Sequence, residues 1–325
     1  MRYTLLLLLA LSLACSKSEA PSSTATEIEP AAAAETEQAA VDEAQPSPVS
    51  APPILEPTTR VLSPGDGDKS PLRFNFKAGT KEAIVVRTEL SSTMPTGKSV
   101  RPPAMYEIEL ETKEVTDDGT ARVAFQIADI EVSPTPDFPA AQLEALKGSL
   151  EKIKGKKGSY AVDSRGLIDA IELEDEAPGQ DGIERLLQKL LERTTVILPE
   201  EEIGTGAQWV TERSYDDAGI RMYESAKFTL KKRKGRALQL EAELKLNSPE
   251  QVLTDGPGIP RGGSITLLGI NGDGSISGNW DLGKLAPKSC TVKTKDSKRF
   301  AGPEGSGAEE PVELIFDTQI TISRK

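Results

Sequence analysis

The sequence predicts an α+β fold, mostly antiparallel β, in which a long curved sheet packs on two helices. Three observations carry this expectation. Several stretches alternate apolar and charged side chains with period two, as strands with one buried face do. Two stretches between them repeat apolar residues at helical spacing. Glycine- and aspartate-rich dipeptides separate the alternating runs and mark hairpins.

Residues 15–71 are Ala-, Glu-, Pro-, Ser- and Thr-rich, and Glu27 to Pro57 contain one short apolar cluster, Pro53-Ile54-Leu55. Such a segment buries too little surface to offset its conformational entropy, so it reads as an extended, disordered tether. The globular domain is expected over 72–325. Its first hairpin sets Tyr106, Ile108, Leu110 and Thr112 against Glu107, Glu109, Glu111 and Lys113, turns at Asp117-Asp118-Gly119 and returns through Val123, Phe125 and Ile127. Leu143, Leu146, Leu150 and Ile153 form the stripe of a first helix. Asp181 and Glu184 resemble a capping box ahead of Ile183, Leu186, Leu187, Leu190 and Leu191, and Pro199 closes that region. A second hairpin runs through Ala226, Phe228 and Leu230, turns at Lys234-Gly235 and continues through Leu238, Leu240, Ala242, Leu244 and Leu246. Val312, Leu314, Phe316, Ile320 and Ile322 alternate in the last strand.

The order of these pieces suggests an internal duplication with halves 72–176 and 203–325. Gly79 and Gly206 precede comparable strands, and Tyr106 and Tyr223 open comparable hairpins. Gly158-Ser159 leading to a turn at residues 163–166 matches Gly263-Ser264 leading to a turn at Asn271-Gly272-Asp273-Gly274.

Composition narrows the function. A net charge of -12 opposes nucleic acid as a partner. Histidine is absent, which removes the commonest general base and metal ligand together. The chain has 2 cysteines, too few for a disulfide framework, so stability rests on a packed core.

Local motifs are weaker than they first look. Counting back from Gly274 as the glycine of a calcium loop puts Gly269 first and Trp280 twelfth, neither of which supplies the ligand, so 271–274 reads as a hairpin turn. Ser149 and Lys152 have Ser-x-x-Lys spacing, but Lys293-Thr294-Lys295 lacks the glycine of the companion motif. Trp209 and Trp280 read as core, and Cys290 as a small buried side chain. Neither a metal nor a cofactor is implied. Lys231, Lys232, Arg233 and Lys234, with Arg236, form the densest basic cluster. It reads as a charged hairpin tip, and its functional reading is contact with an anionic surface.

The N-terminus supplies an address. Arg2 is followed by the apolar run Leu5 to Leu13, then Ala14 and Cys15. The run is about half of the roughly 20 residues a spanning helix needs. Residues 1–14 therefore read as an export signal that is removed. The pattern resembles the lipobox of bacterial lipoproteins, with Ser12 where a leucine is usual. That resemblance implies lipidation at Cys15 and anchorage in a membrane, and Ser16 in place of aspartate implies the outer membrane of the cell envelope. Most of the chain resembles Gram-negative envelope lipoproteins that join an acidic tether to a β-rich body, a group that brings no known activity. In architecture the expected body resembles half-barrel carriers that hold acyl chains between sheet and helices.

These readings combine into a non-catalytic, outer-membrane-anchored lipoprotein that binds or scaffolds a lipid, another apolar ligand or an envelope protein. The alternatives are an accessory subunit of an envelope complex and a histidine-free hydrolase.

Overall fold

The computed structural model describes residues 53–302 and 310–325, except 137, 170, 175–180, 218, 255–258 and 260–262; for 181–185 it describes the backbone alone. The export signal, Cys15 and the tether up to residue 52 lie outside the described residues. The first part of the body comprises β1 (Thr58–Ser63), β2 (Asp66–Ser70), β3 (Lys81–Met94), β4 (Gly97–Val100), β5 (Ala104–Val115), β6 (Ala121–Val132), α1 (Ala140–Glu151), β7 (Lys157–Val162) and β8 (Glu172–Leu173). There follow α2 (Asp181–Glu192), β9 (Ile203–Thr205), β10 (Gln208–Asp217), β11 (Ile220–Lys234), β12 (Ala237–Ser248), β13 (Gln251–Leu253), β14 (Ile265–Asp281), β15 (Ser289–Phe300) and β16 (Val312–Arg324).

One antiparallel sheet of 14 strands dominates, in the order β1-β10-β11-β12-β14-β15-β16-β3-β5-β6-β7-β8, with β4 and β13 as short additions on β3 and β14. The C-terminal strand β16 pairs with β3, so strands from both halves of the chain belong to one sheet. Its two edges come together. Arg165, in the turn after β7, donates from Nη2 to Oγ1 of Thr59 in β1 at 2.6 Å. In a flat sheet those strands would lie roughly 50 Å apart at about 4.8 Å per strand. The sheet is therefore curled into an incomplete barrel, as the right-handed twist of long strands favours.

The alternation read from the sequence places the core. Ile84, Val86, Tyr106, Ile108, Leu110, Val123, Phe125 and Ile127 are buried from the first half, and Phe228, Leu230, Leu238, Leu240 and Leu244 from the second. The segment 193–199 after α2 crosses this inner face. Both tryptophans pin it, Trp209 donating from Nε1 to the carbonyl of Ile197 at 3.0 Å and Trp280 to that of Thr194 at 3.3 Å. Each indole thus buries its rings and still satisfies its N–H.

Several expectations are corrected. The fold is mostly antiparallel β as expected, but not clearly an α+β arrangement with two packed helices. Leu187, Leu190 and Leu191 of α2 are buried, whereas in α1 only Leu150 is. The tether does not run to residue 71. Residues 58–63 and 66–70 form β1 and β2, because β10 and β9 offer edges with which their backbones pair. Nor is Asn271-Gly272-Asp273-Gly274 a turn; it lies inside β14, paired on both sides with β12 and β15. The glycines serve close approach there. A Cβ at Gly274 would sit 2.4 Å from the carbonyl oxygen of Lys293, and one at Gly278 would sit 2.6 Å from that of Ser289. The last match of the suggested duplication disappears with that turn. Its first match has a structural counterpart, since Gly79 and Gly206 take φ of 77° and 82° two residues ahead of β3 and β10.

No helix among the described residues is long and apolar enough to cross a membrane.

Candidate functional site

Strand register lays out the inner face in rows. One row, Trp209, Phe228, Ala242, Ile276, Val292 and Ile320, is entirely apolar. The row four residues further along the strands is Arg213, Glu224, Leu246, Gly272, Asp296 and Phe316. It carries charge inside the barrel. Beyond it lies a second, smaller apolar cluster of Ile220, Met222, Leu246, Leu253, Leu267, Ile270, Phe300 and Leu314. The polar row thus stands between the main core and this second cluster.

Glu224 is its centre, 5% exposed and bound by two guanidinium groups. Arg193, at the end of α2, grips it with both nitrogens: Nη1 donates to Oε1 at 3.0 Å and Nη2 to Oε2 at 2.5 Å. Arg213, its cross-strand neighbour, donates from Nε to Oε1 at 3.1 Å and from Nη1 to Oε2 of Glu192 at 2.7 Å. Burial alone would push the Glu224 carboxyl up, but Arg193 and Arg213 outweigh it and hold it at about 2. Burial works against the Arg193 charge in turn, and Glu224 reverses that and raises its pKa. Lys189 of α2 pairs with Asp217 of β10. Three charged side chains of α2 and its end therefore clasp the sheet.

Beside this ionic wall lies a cavity of about 520 Å³. Its floor is Ala226, Phe228, Ile276, Trp280 and Val292 from the sheet. Val196 and Ile197 line it from the segment after α2, and residues 166–169 and 54–57 stand on either side, next to the two sheet edges. The volume falls within the roughly 300–1,000 Å³ of small-molecule sites, and the lining combines apolar walls with a few placed polar groups, as such sites do. Its chemistry suits binding more than proton transfer. Glu224 stays ionised near neutrality with its oxygens engaged, and the Ser214 hydroxyl accepts the Leu55 N–H at 2.5 Å.

The residues singled out from sequence are elsewhere. Lys231, Lys232, Arg233, Lys234 and Arg236 are at the β11–β12 hairpin, where the β11 members lie seven to ten residues along the strand from Glu224 and thus roughly 23–33 Å away. Lys231 pairs with Glu241 at 3.4 Å, Arg233 donates to Oγ of Ser70 at 2.6 Å, and Arg236 lies 3.6 Å from Asp281. Lys232 and Lys234 are exposed, with no ion pair among the described residues. Ser149 donates its hydroxyl to the carbonyl of Ala145 within α1. Burial pushes the Cys290 thiol up to about 12, so it stays protonated. Among the described residues no group of three or more Cys, Asp or Glu side chains is placed to hold a metal.

Sequence reasoning passed over the ionic wall. The signal for it was there: Glu224 continues the inward series Ala226, Phe228 and Leu230, and Arg213 continues Trp209 and Thr211.

Compared with protein-family models and with curated proteins, the chain matches none.

Proposed function

We propose that the protein is a lipoprotein anchored through Cys15 to the outer membrane, and that it binds an apolar or amphipathic ligand in the cavity beside α2. The observation that carries this reading is the cavity of about 520 Å³, with an apolar floor inside the curled sheet and a charged wall at one side. An apolar ligand in this space would pack against Phe228, Ile276, Trp280 and Val292 without leaving unpaired polar groups on that side. The exposed Lys232 and Lys234 at the far hairpin add a salt-sensitive attraction to anionic surfaces of the envelope.

Gentle extraction of the full-length protein from its native membrane, followed by mass spectrometry of everything retained, tests the reading. A stoichiometric apolar small molecule is the expected finding; a clean preparation holding neither ligand nor lipid anchor would sink it. Cys15→Ser abolishes incorporation of labelled fatty acid and releases the protein from membranes if the anchor is as proposed.

A further inference from the structure

We infer that residues 53–57 form a displaceable strap that closes the mouth of the cavity and links its opening to the chain that leads to the anchor. The inference rests on the cavity being a ligand site.

Four observations converge on this segment. Ile54 and Leu55 line the cavity, yet are 61% and 52% exposed, so each has one side on the cavity and the other on solvent. They are two of the four large apolar side chains that stand exposed among the described residues. The segment lies outside the sheet ladder, whose first pair is Thr58 with Glu212; its hold beyond that point is the Leu55 N–H on Oγ of Ser214. Pro53 and Pro57 bracket it. A proline carries no N–H and resists ladder pairing, so β1 is stopped from zipping further and fixing the segment permanently.

The geometry separates a firm point from a loose one. Thr58 to Val61 are locked opposite residues 209–212 of β10. Residues 54–57 line the cavity together with Tyr215 and Asp216, and one hydrogen bond, from the Leu55 N–H to Ser214, holds them there. Such a segment lifts away without disturbing the sheet. With Cys15 anchored as proposed, a pull on the chain that precedes residue 53 acts first on this strap. Ile54 and Leu55 thereby serve as the chain's own occupant of the mouth, to be displaced when ligand enters or leaves.

The test compares the full-length protein with an Ile54→Ser, Leu55→Ser double variant. It follows uptake of the apolar fluorophore N-phenyl-1-naphthylamine by stopped flow, and backbone hydrogen exchange at residues 166–169 and 214–216. Because both side chains are more than half exposed, the variant keeps its fold, which an unchanged melting temperature verifies. The strap predicts uptake at least about tenfold faster in the variant, with faster exchange at both rims. Uptake at the wild-type rate would overturn it. If neither protein takes up the fluorophore, the ligand reading falls, and exchange alone decides: faster exchange at both rims retains the strap, and unchanged exchange removes it.

Discussion

The two helices are the same length, 12 residues each, and both show an apolar stripe in the sequence, yet they enter the core to different depths. α1 lies at the margin, touching β6, with Leu150 its only buried residue; Leu143 and Leu146 remain partly exposed. α2 buries Leu187, Leu190 and Leu191 in the main core and clasps the sheet through Lys189, Glu192 and the following Arg193. Helical periodicity says which face is apolar. It does not say whether a floor exists for that face to cover. What sets α2 apart is charge: its cations and anions have complementary partners on the inner face of β10 and β11, whereas the ion pairs of α1 are local, Lys147 with Glu144 within the helix and Glu151 with Lys154 just after it.

Breaking the clasp is the most severe way to erase this difference. Glu224→Ala leaves Arg193 and Arg213 buried without their shared carboxylate, and removing one partner of a buried pair costs about 3–5 kcal/mol. Urea denaturation reads that loss directly. The next largest effect is Leu191→Ala, which empties a fully buried position for about 2–5 kcal/mol. Acid gives a graded version. The Glu224 carboxyl is at about 2 in the folded protein against an ordinary 4.5, so its stabilisation is complete above pH 4.5 and is lost as pH falls towards 2. At pH 3 the loss attributable to it is about 2 kcal/mol, and the acid dependence is correspondingly flatter in a Glu224→Gln variant. Smallest of all is Leu143→Ala on α1, within about 0.5 kcal/mol, since the site is already partly open to water. A cost for Leu143→Ala equal to that of Leu191→Ala would abolish the distinction between the helices.

Much of the sheet was legible because period-two alternation has one cause, burial of one face. Tyr106 to Leu110, Val123 to Ile127 and Leu238 to Leu246 all point inward as their spacing demands. The failures share a cause of their own. Gly272 and Gly274 look like a turn because turns use glycine, but here the neighbouring strand comes too close for a Cβ, a tertiary fact with no local mark. Thr58 to Ser70 read as tether because composition was averaged across the join; only the available edges of β10 and β9 make strands of them. The ionic wall draws Arg193, Arg213 and Glu224 from three separate elements, and sequence distance hides their meeting. The cavity was invisible for the same reason, although the curved sheet with helices on one side anticipated a space of this kind.

The account stands on that cavity accepting an apolar ligand. Ala226 lies on its floor between Glu224 and Phe228, and Ala226→Trp fills the space from the sheet side. Fluorescence titration with N-phenyl-1-naphthylamine tests the claim most directly. Wild-type protein is predicted to bind saturably at one site, and Ala226→Trp to weaken binding at least about tenfold while its melting temperature stays within a few degrees. Equal affinity in the two proteins, or no saturable binding in the wild type, would contradict it.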